Sequence, residues 1–562
     1  MERDHAVNER PVNDLHGTGW RGARPGIALL IGIGAVLFLW RLGSHDLWPP
    51  DEPHLALVAR SMSVRGDHPV PALQDSPRPV VPPLIFWAIN AGAKLTGGVN
   101  EWSARLPSAL SAIAALLLIM RLGTVLYDRR TGILGALVFA TSVQTLLSGR
   151  WASIHMTLNL FILGAILLLH EGRTAQEGSP WRERLAWVLM GCATLTGGLT
   201  GLLIPLLAII PSIVLERDLK SMRRLVLPSG WILYGLVVLA WLVPYTWTVG
   251  LQGTMALIDR PPIGLPLSGH DATGPIGYYL LRFPLGFLPW SLILPWAMVH
   301  VLGEQARRRQ AVLLCTWVSA LFLIFSLTPD KQGAHILPLY PAAALIVARL
   351  FSSASERKAQ KGTGHGDSDI DRVVQGRLRT ALFAWTCGAS LLAAAVPIAI
   401  GREQPHILPF AIGVVALQLG GAVVASSLHA RGRSGFAAGV MVASCVLILI
   451  LAIEGIVPSV NRQRNIRGFA REVAGMLRPE IPFATTGSKR DAWSFYTERS
   501  SPLLDTPASV RDYLRGSGIR DLLIERPLLR SIHDGLPEGW VEILRGDVAD
   551  TTYVLLRREG PP

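Results

Sequence analysis

Two adjacent carboxylates, Asp51 and Glu52 in the stretch LWPPDEPHLALVARSM, could do chemistry in this chain because they follow a membrane-length apolar run. Acids beside Pro53 at a helix start also have a plain structural use, complementing the exposed N–H groups and the positive end of the helix dipole. At a membrane surface, however, a carboxylate can accept a proton from an incoming hydroxyl or orient it. Cations near the same ends of the apolar runs are Arg60, Arg78, Arg150, Arg260, Arg282 and Lys331. Arg150 and Arg282 lie near or within apolar segments, where a charge either faces a cavity or partner or snorkels to the headgroups. His54, His155, His270 and His335 map near one end of their apolar runs. Imidazole with carboxylate can ligate a divalent metal ion, and His270 is the candidate ligand, against a plain surface or hydrogen-bonding role.

The elements that must position these groups are membrane helices. The chain has 562 residues, half of them hydrophobic and only 17% charged, and its mean hydropathy is +0.38. That composition excludes a soluble multi-domain protein and indicates a polytopic membrane protein. A net charge of +13 would suggest nucleic acid in a soluble chain. Here the basic residues concentrate in short loops between apolar runs, the cytoplasmic bias of membrane proteins, and no nucleic acid partner is expected. All four cysteines lie inside apolar runs without paired spacing, so neither disulfides nor a cysteine metal site is expected.

Apolar runs of roughly 17 to 25 residues give about thirteen spans. They begin near Gly26, Arg105, Thr131, Met156, Leu185, Gly198, Leu227, Ile276, Ala311, His335, Thr380, Ile407 and Gly435. The Leu185 and Gly198 runs read as a hairpin, on length and central glycines, or as one long broken helix. With a cytoplasmic N-terminal segment (residues 1–24), every second connection is basic, as the positive-inside rule requires. The transmembrane domain then covers residues 25–460, with an external loop at 44–104 and a cytoplasmic loop at 352–378. Residues 461–562 lie outside, in the periplasm of an inner-membrane protein.

In the external loop, HLALVARSM places Leu55, Val58, Ala59 and Met62 on one helical face, and PPLIFWAINAGAKLTG forms a second apolar patch. Both suit interfacial helices. The tail alternates strand-like runs (PFATTG, DLLIERP, WVEILRG, TTYVLLRR) with a helical run, ASVRDYLRGSG, and reads as a small α/β domain. The polar stretch Ser353 to Asp371 reads as mobile. Trp40, Trp48, Trp87, Trp102 and Trp290 sit at span ends, as in an interfacial aromatic belt.

Four segments carry a family resemblance: DEPHLALVARSMSVRGDHPVPAL, PPLIFWAINAGAKLTGGVNEWSARLPSAL, GHDATGPIGYYLLRFPLGFLPWSLILP and FSLTPDKQGAHILPLYPAAALIVA. In this order they resemble the lipid-linked-sugar glycosyltransferases of the protein O-mannosyltransferase and aminoarabinose (lipid A) transferase type. The resemblance implies an all-α polytopic GT-C fold. It also implies transfer of a sugar from a polyprenyl-phosphate carrier to a lipid, glycan or protein acceptor at the external face, with inversion. Asp51 takes the place of the family's catalytic carboxylate, with Glu52 supporting its geometry. Arg60, Arg78, Arg150 and Lys331 are the candidate donor-phosphate ligands, and a divalent metal ion is a candidate cofactor.

The sequence departs from the family pattern at charged positions. A Glu-Lys pair is replaced by Val80 and Val81, an arginine by His54, an aspartate by His155, a lysine by Gly197 and a tyrosine by His335. These losses define a competing reading, a non-catalytic relative that handles lipid-linked sugars, since fold alone does not establish activity. A transporter is a third reading, which the near absence of acids within the spans disfavours.

Overall fold

The computed structural model describes residues 24–66, 81–175, 179–258, 274–329, 331–361, 368–403, 405–487, 489–504, 506–516, 520–532 and 538–558. Arg78, Val80, Arg260 and His270 lie outside these segments. The first half runs α1 (Arg24–Gly34), α2 (Asp51–Arg65), α3 (Leu84–Thr96), α4 (Glu101–Leu126), α5 (Arg129–Ala140), α6 (Val143–Arg150), α7 (Ile154–Thr174), α8 (Pro180–Gly197), α9 (Thr200–Leu215), α10 (Leu219–Leu225) and α11 (Pro228–Ile258). It continues through α12 (Tyr278–Gly286), α13 (Leu294–Gly303), α14 (Arg308–Leu327), α15 (Tyr340–Lys361), α16 (Ser368–Glu403), α17 (Leu408–Ala430), α18 (Ser434–Leu451), α19 (Val457–Arg464) and α20 (Ile466–Met476).

Seven helices among the described residues are long and apolar enough to cross a membrane, or eight if the pair α5 and α6, bent by 69°, forms one span. About thirteen were expected from apolar runs alone. The difference arises where runs break into short helices: 24–39, α9 and α13 are apolar but shorter than a full span. α8 and α9 form the expected hairpin. Glu183 and Trp187 near the start of α8 line one cleft with Ile209 and Ile213 near the end of α9, so the two helices run antiparallel. The polar stretch after Ser353 is not loop throughout: α15 continues to Lys361 and α16 begins at Ser368.

Helix starts are set by local chemistry. Asn100 caps α4, its Oδ1 accepting from the N–H groups of Trp102 and Ser103 at 3.0 and 2.9 Å, while Ser103 Oγ accepts from the Asn100 N–H. This fixes the register that carries Arg105 inward one turn later. α4 and α5 approach closely through two glycines; a Cβ on Gly132 would lie 2.2 Å from the Met120 carbonyl oxygen. α2 buries Leu55, Val58, Ala59 and Met62, the face read from the sequence, together with Ile85, Phe86 and Ile89 of α3.

The tail folds as a five-stranded sheet in the order β2-β1-β3-β5-β4, formed by β1 (Phe483–Thr486), β2 (Leu503–Leu504), β3 (Arg520–Glu525), β4 (Trp540–Val548) and β5 (Thr551–Arg558). The β1 pairings are parallel and the β5 pairings antiparallel. Successive residues of β3 and β5 point to opposite faces. Leu523, Tyr553 and Leu555 pack with α20 and α21 (Arg490–Thr497). Leu522, Ile524, Val554 and Leu556 pack with α22 (Pro507–Arg515) and α23 (Arg526–Ile532). Both faces are therefore covered, which explains the near-continuous apolar runs of these strands.

The two ends of the helical body differ. At one end, ion pairs join residues of the basic connections: Arg121 with Glu171 at 2.7 Å, Arg173 with Glu216 and Asp218, and Arg349 with Glu304 and Asp128. The first loop, the start of α7 and the tail meet at the other.

Candidate active site

Asp51 and Glu52 occupy the first turn of α2, and they have different surroundings. Glu52 is 4% exposed and its carboxylate accepts four hydrogen bonds. Arg105 Nε and Nη2 donate to its two oxygens, each at 2.7 Å, and the N–H groups of Trp48 and Ala152 each donate at 2.8 Å. Arg105, fully buried, spends its remaining donors on the carbonyls of Leu42, His45 and Asp46 at 3.0, 2.9 and 2.7 Å. All five guanidinium N–H groups are thus used, the condition under which a buried ion pair is tolerated. The pair locks three chain segments around the first turn of α2 and leaves Asp51 half-buried beside it.

Arg105 escaped the sequence reading as a site residue. The available signal was an arginine one turn inside an apolar helix, within ARLPS. The same cation depresses a neighbour: burial first, then the charges of Arg105, Arg150 and Arg467, push His45 down to about 2.

The candidate phosphate ligands separate. Arg60 lies 3.9 Å over the Phe495 ring and donates to the carbonyls of Phe495 and Val99 at 2.9 and 3.1 Å, tying α2 to the tail. Arg150, 5% exposed, donates to the carbonyls of Leu37 and Trp40 at 2.8 and 3.0 Å. Those carbonyls belong to the π-helical segment Ala35–Leu39 and its cap, so Arg150 satisfies acceptors that a helix end leaves open. Lys331 is buried and its Nζ donates to the Thr328 carbonyl at 2.5 Å. Arg282 is exposed, beside the Tyr278 ring. Arg60 and Arg150 thus spend donors on backbone carbonyls. No group of three or more metal-ligating side chains of the His, Cys, Asp and Glu types occurs among the described residues.

Other residues do converge near the start of α2. Trp48 packs edge-on to Trp151 at 6.1 Å, and the Arg464 guanidinium lies 4.2 Å over the Trp48 ring. An aromatic pair with a cation on its face is chemistry suited to a sugar phosphate. Arg464 was not legible as a partner, since 416 residues separate it from Trp48 (464 minus 48).

Three of the departing positions meet in one cleft. His155, Gly197 and His335 line it with Ile154, Leu158, Thr200, Ile204, Phe325, Ala334 and Pro338. The two imidazoles face one another with centroids 5.5 Å apart. Burial, with the His155 ring alongside, pushes His335 down to about 3, so its ring is neutral. The cleft adjoins the carboxylate site. Ala152, whose N–H binds Glu52, is three residues from His155, a span of at most about 11 Å. His54 is placed elsewhere: its Nδ1 lies 3.0 Å from Asp491 Oδ2, both side chains buried between α2 and α21.

This architecture has solved counterparts. ArnT from Cupriavidus metallidurans in the apo state superposes with a TM-score of 0.76 at 20% identity, covering 96% of this chain and all of that one. The same protein bound to undecaprenyl phosphate gives 0.75. The chain carries the GT-C fold. An archaeal oligosaccharyltransferase, AglB from Archaeoglobus fulgidus, shares it more distantly, with a TM-score of 0.52 at 11% identity over 90% of this chain and 69% of that one. In sequence, residues 80–247 match the family described as dolichyl-phosphate-mannose-protein mannosyltransferase. The undecaprenyl phosphate-alpha-4-amino-4-deoxy-L-arabinose arabinosyl transferase of Pectobacterium carotovorum is 28% identical over 80% of this chain and 79% of its own length. Its namesake in Shewanella sediminis is 28% identical over 58% of this chain and 59% of its own. The GT-C chain is thus similar, along most of its length, to membrane glycosyltransferases of aminoarabinose transferase type.

Proposed function

We propose that the protein is an inner-membrane glycosyltransferase that moves a sugar from a polyprenyl-phosphate carrier to an acceptor at the external face, with inversion. The acceptor oxygen attacks the sugar carbon, the bond from that carbon to the phosphate oxygen breaks, and the lipid phosphate departs with the electron pair. Asp51 takes the acceptor proton. Glu52 is a positioning residue, held by Arg105. The observation that carries this reading is the pairing of Glu52 with Arg105, which fixes the first turn of α2 at a site where Asp51 stays half-buried. It is supported by the GT-C fold and by similarity to aminoarabinose transferases over four fifths of the chain.

Trp48, Trp151 and Arg464 then also face the sugar phosphate. The second reading, a carrier-binding relative without transfer, is favoured by the cleft at His155, Gly197 and His335, whose lining holds no charged side chain among the described residues. One experiment decides. Purified protein in proteoliposomes is given undecaprenyl-phosphate-linked sugars, and transfer or release is followed for wild type and Asp51→Asn. A loss of roughly 100-fold or more in the variant, with carrier binding retained, is expected for a general base. Unchanged turnover in Asp51→Asn removes Asp51 from the mechanism, and binding without turnover in wild type establishes the second reading.

A further inference from the structure

We propose that the tail completes the donor site, with Asn461 and Tyr496 as positioning residues that hold the strap 46–48 and, through it, the Trp48 ring. The strap has no regular secondary structure, and Asp46 and Leu47 are buried. Pro49 and Pro50 follow it and carry no N–H, so the strap's three donors are the last before α2. Buried backbone donors need partners. Here each one finds a side chain: Asp46 donates to Asn461 Oδ1 at 2.9 Å, Leu47 to the Tyr496 hydroxyl oxygen at 2.7 Å and Trp48 to Glu52 Oε2 at 2.8 Å. Two of the three acceptors come from the far end of the chain, 415 and 449 residues away.

The same contacts fix the Trp48 side chain. Its indole Nε1 donates to Asn461 Oδ1 at 3.3 Å, and Asn461 Nδ2 donates to Asp46 Oδ1 at 3.4 Å. Arg464 stands three residues further along α19, on the same helix face, and covers the ring at 4.2 Å, while Trp151 meets it edge-on. The Arg467 N–H donates to Asp46 Oδ2 at 3.0 Å and its guanidinium lies 3.3 Å from Oδ1, which anchors the strap to α20. The indole is thus gripped at its N–H, its face and its edge, and a ring so fixed loses little further freedom when a ligand packs on it. Resting on the function proposed above, that ligand is the sugar phosphate, and Asn461 and Tyr496 act on its binding through Trp48 without touching it.

Three variants of the full-length protein in detergent test this. Tyr496→Phe removes only the hydroxyl, and Asn461→Ala removes both amide atoms. Tyr513→Phe is the control, deleting another tail hydroxyl, one that donates to the Asp521 carbonyl at 3.0 Å within the tail. Amide exchange at residues 46–48 should quicken at least about fivefold in Tyr496→Phe and Asn461→Ala, since each leaves a buried N–H without its acceptor. In both, the Kd for undecaprenyl phosphate and the KM for the undecaprenyl-phosphate-linked sugar that wild type uses should rise at least about fivefold, with kcat within about twofold of wild type. A misfolded fraction gives the opposite split, lowering kcat at unchanged KM, and Tyr513→Phe should move neither constant nor the strap exchange. The proposal is overturned if exchange at 46–48 is unchanged in both variants, if it quickens while Kd and KM hold, or if Tyr513→Phe weakens binding as much. A wild type that binds no undecaprenyl phosphate defeats the function proposed above and the role of Trp48 with it, whereas exchange alone still decides whether the tail holds the strap.

Discussion

Replacing Arg105 with alanine strips the Glu52 carboxylate of two of its four donors and leaves the carbonyls of Leu42, His45 and Asp46 without theirs. Both side chains are almost completely buried, so water does not readily replace the lost partner. Breaking a buried ion pair from one side costs about 3–5 kcal/mol. Glu52→Leu breaks it from the other side at a comparable cost. The double variant, Arg105→Ala with Glu52→Leu, removes both charges together and should therefore lose much less than the sum, with a coupling of at least about 2 kcal/mol. Amide hydrogen exchange in detergent micelles reads this locally. Opening of residues 42–52 and 151–153 should become faster by about two to three and a half orders of magnitude in Arg105→Ala, since about 1.4 kcal/mol corresponds to each tenfold. If the single variants add to within about 0.5 kcal/mol, or if exchange in these segments does not change, the pair is not what holds the first turn of α2.

Three further outcomes follow from the geometry. His45, depressed to about 2 in the folded protein against 6.5 unfolded, leaves the unfolded state binding the extra proton between those values. Stability should then rise with pH up to about 6.5 and level off, by at most about 1.4 kcal/mol per unit, and His45→Gln should flatten that slope in denaturation midpoints measured from pH 4.5 to 7.5. Gly132→Ala drives a methyl into the Met120 carbonyl and should destabilise the α4–α5 crossing by about 1–3 kcal/mol, with an unchanged midpoint arguing against the close approach. Arg60→Ala removes two hydrogen bonds and a ring contact between α2 and the tail, and limited proteolysis of the tail should accelerate by about tenfold or more; equal cleavage rates would dissociate Arg60 from tail docking.

Local pattern explains what the sequence discloses. The buried face of α2 follows from the helical spacing of Leu55, Val58, Ala59 and Met62. β1, β3, β4 and β5 coincide with the four apolar runs of the tail, and α22 with its amphipathic run. β2 has only two residues, too few to show a period. Contacts across large sequence distances are a different matter. Arg60 and Arg150 read as phosphate ligands because the carbonyls they bind belong to Phe495, Val99, Leu37 and Trp40, acceptors that every residue possesses and no motif announces. Apolar composition likewise does not reveal a 69° bend such as that between α5 and α6. His155, Gly197 and His335 show as separate departures in sequence, and only the packing of the start of α7, the α8–α9 junction and the segment before α15 makes them one cleft.

The contacts at the start of α2 also carry a schedule. Glu52 meets Arg105 after 53 further residues have been made, Ala152 after 100, and His54 meets Asp491 only after 437. At ribosomal speeds of about 5–20 residues per second, the last of these partners emerges roughly 20 to 90 seconds after the first turn of α2. During biogenesis the carboxylate end of the bundle is therefore completed in stages, and its closing clasp exists only once translation has passed Asp491.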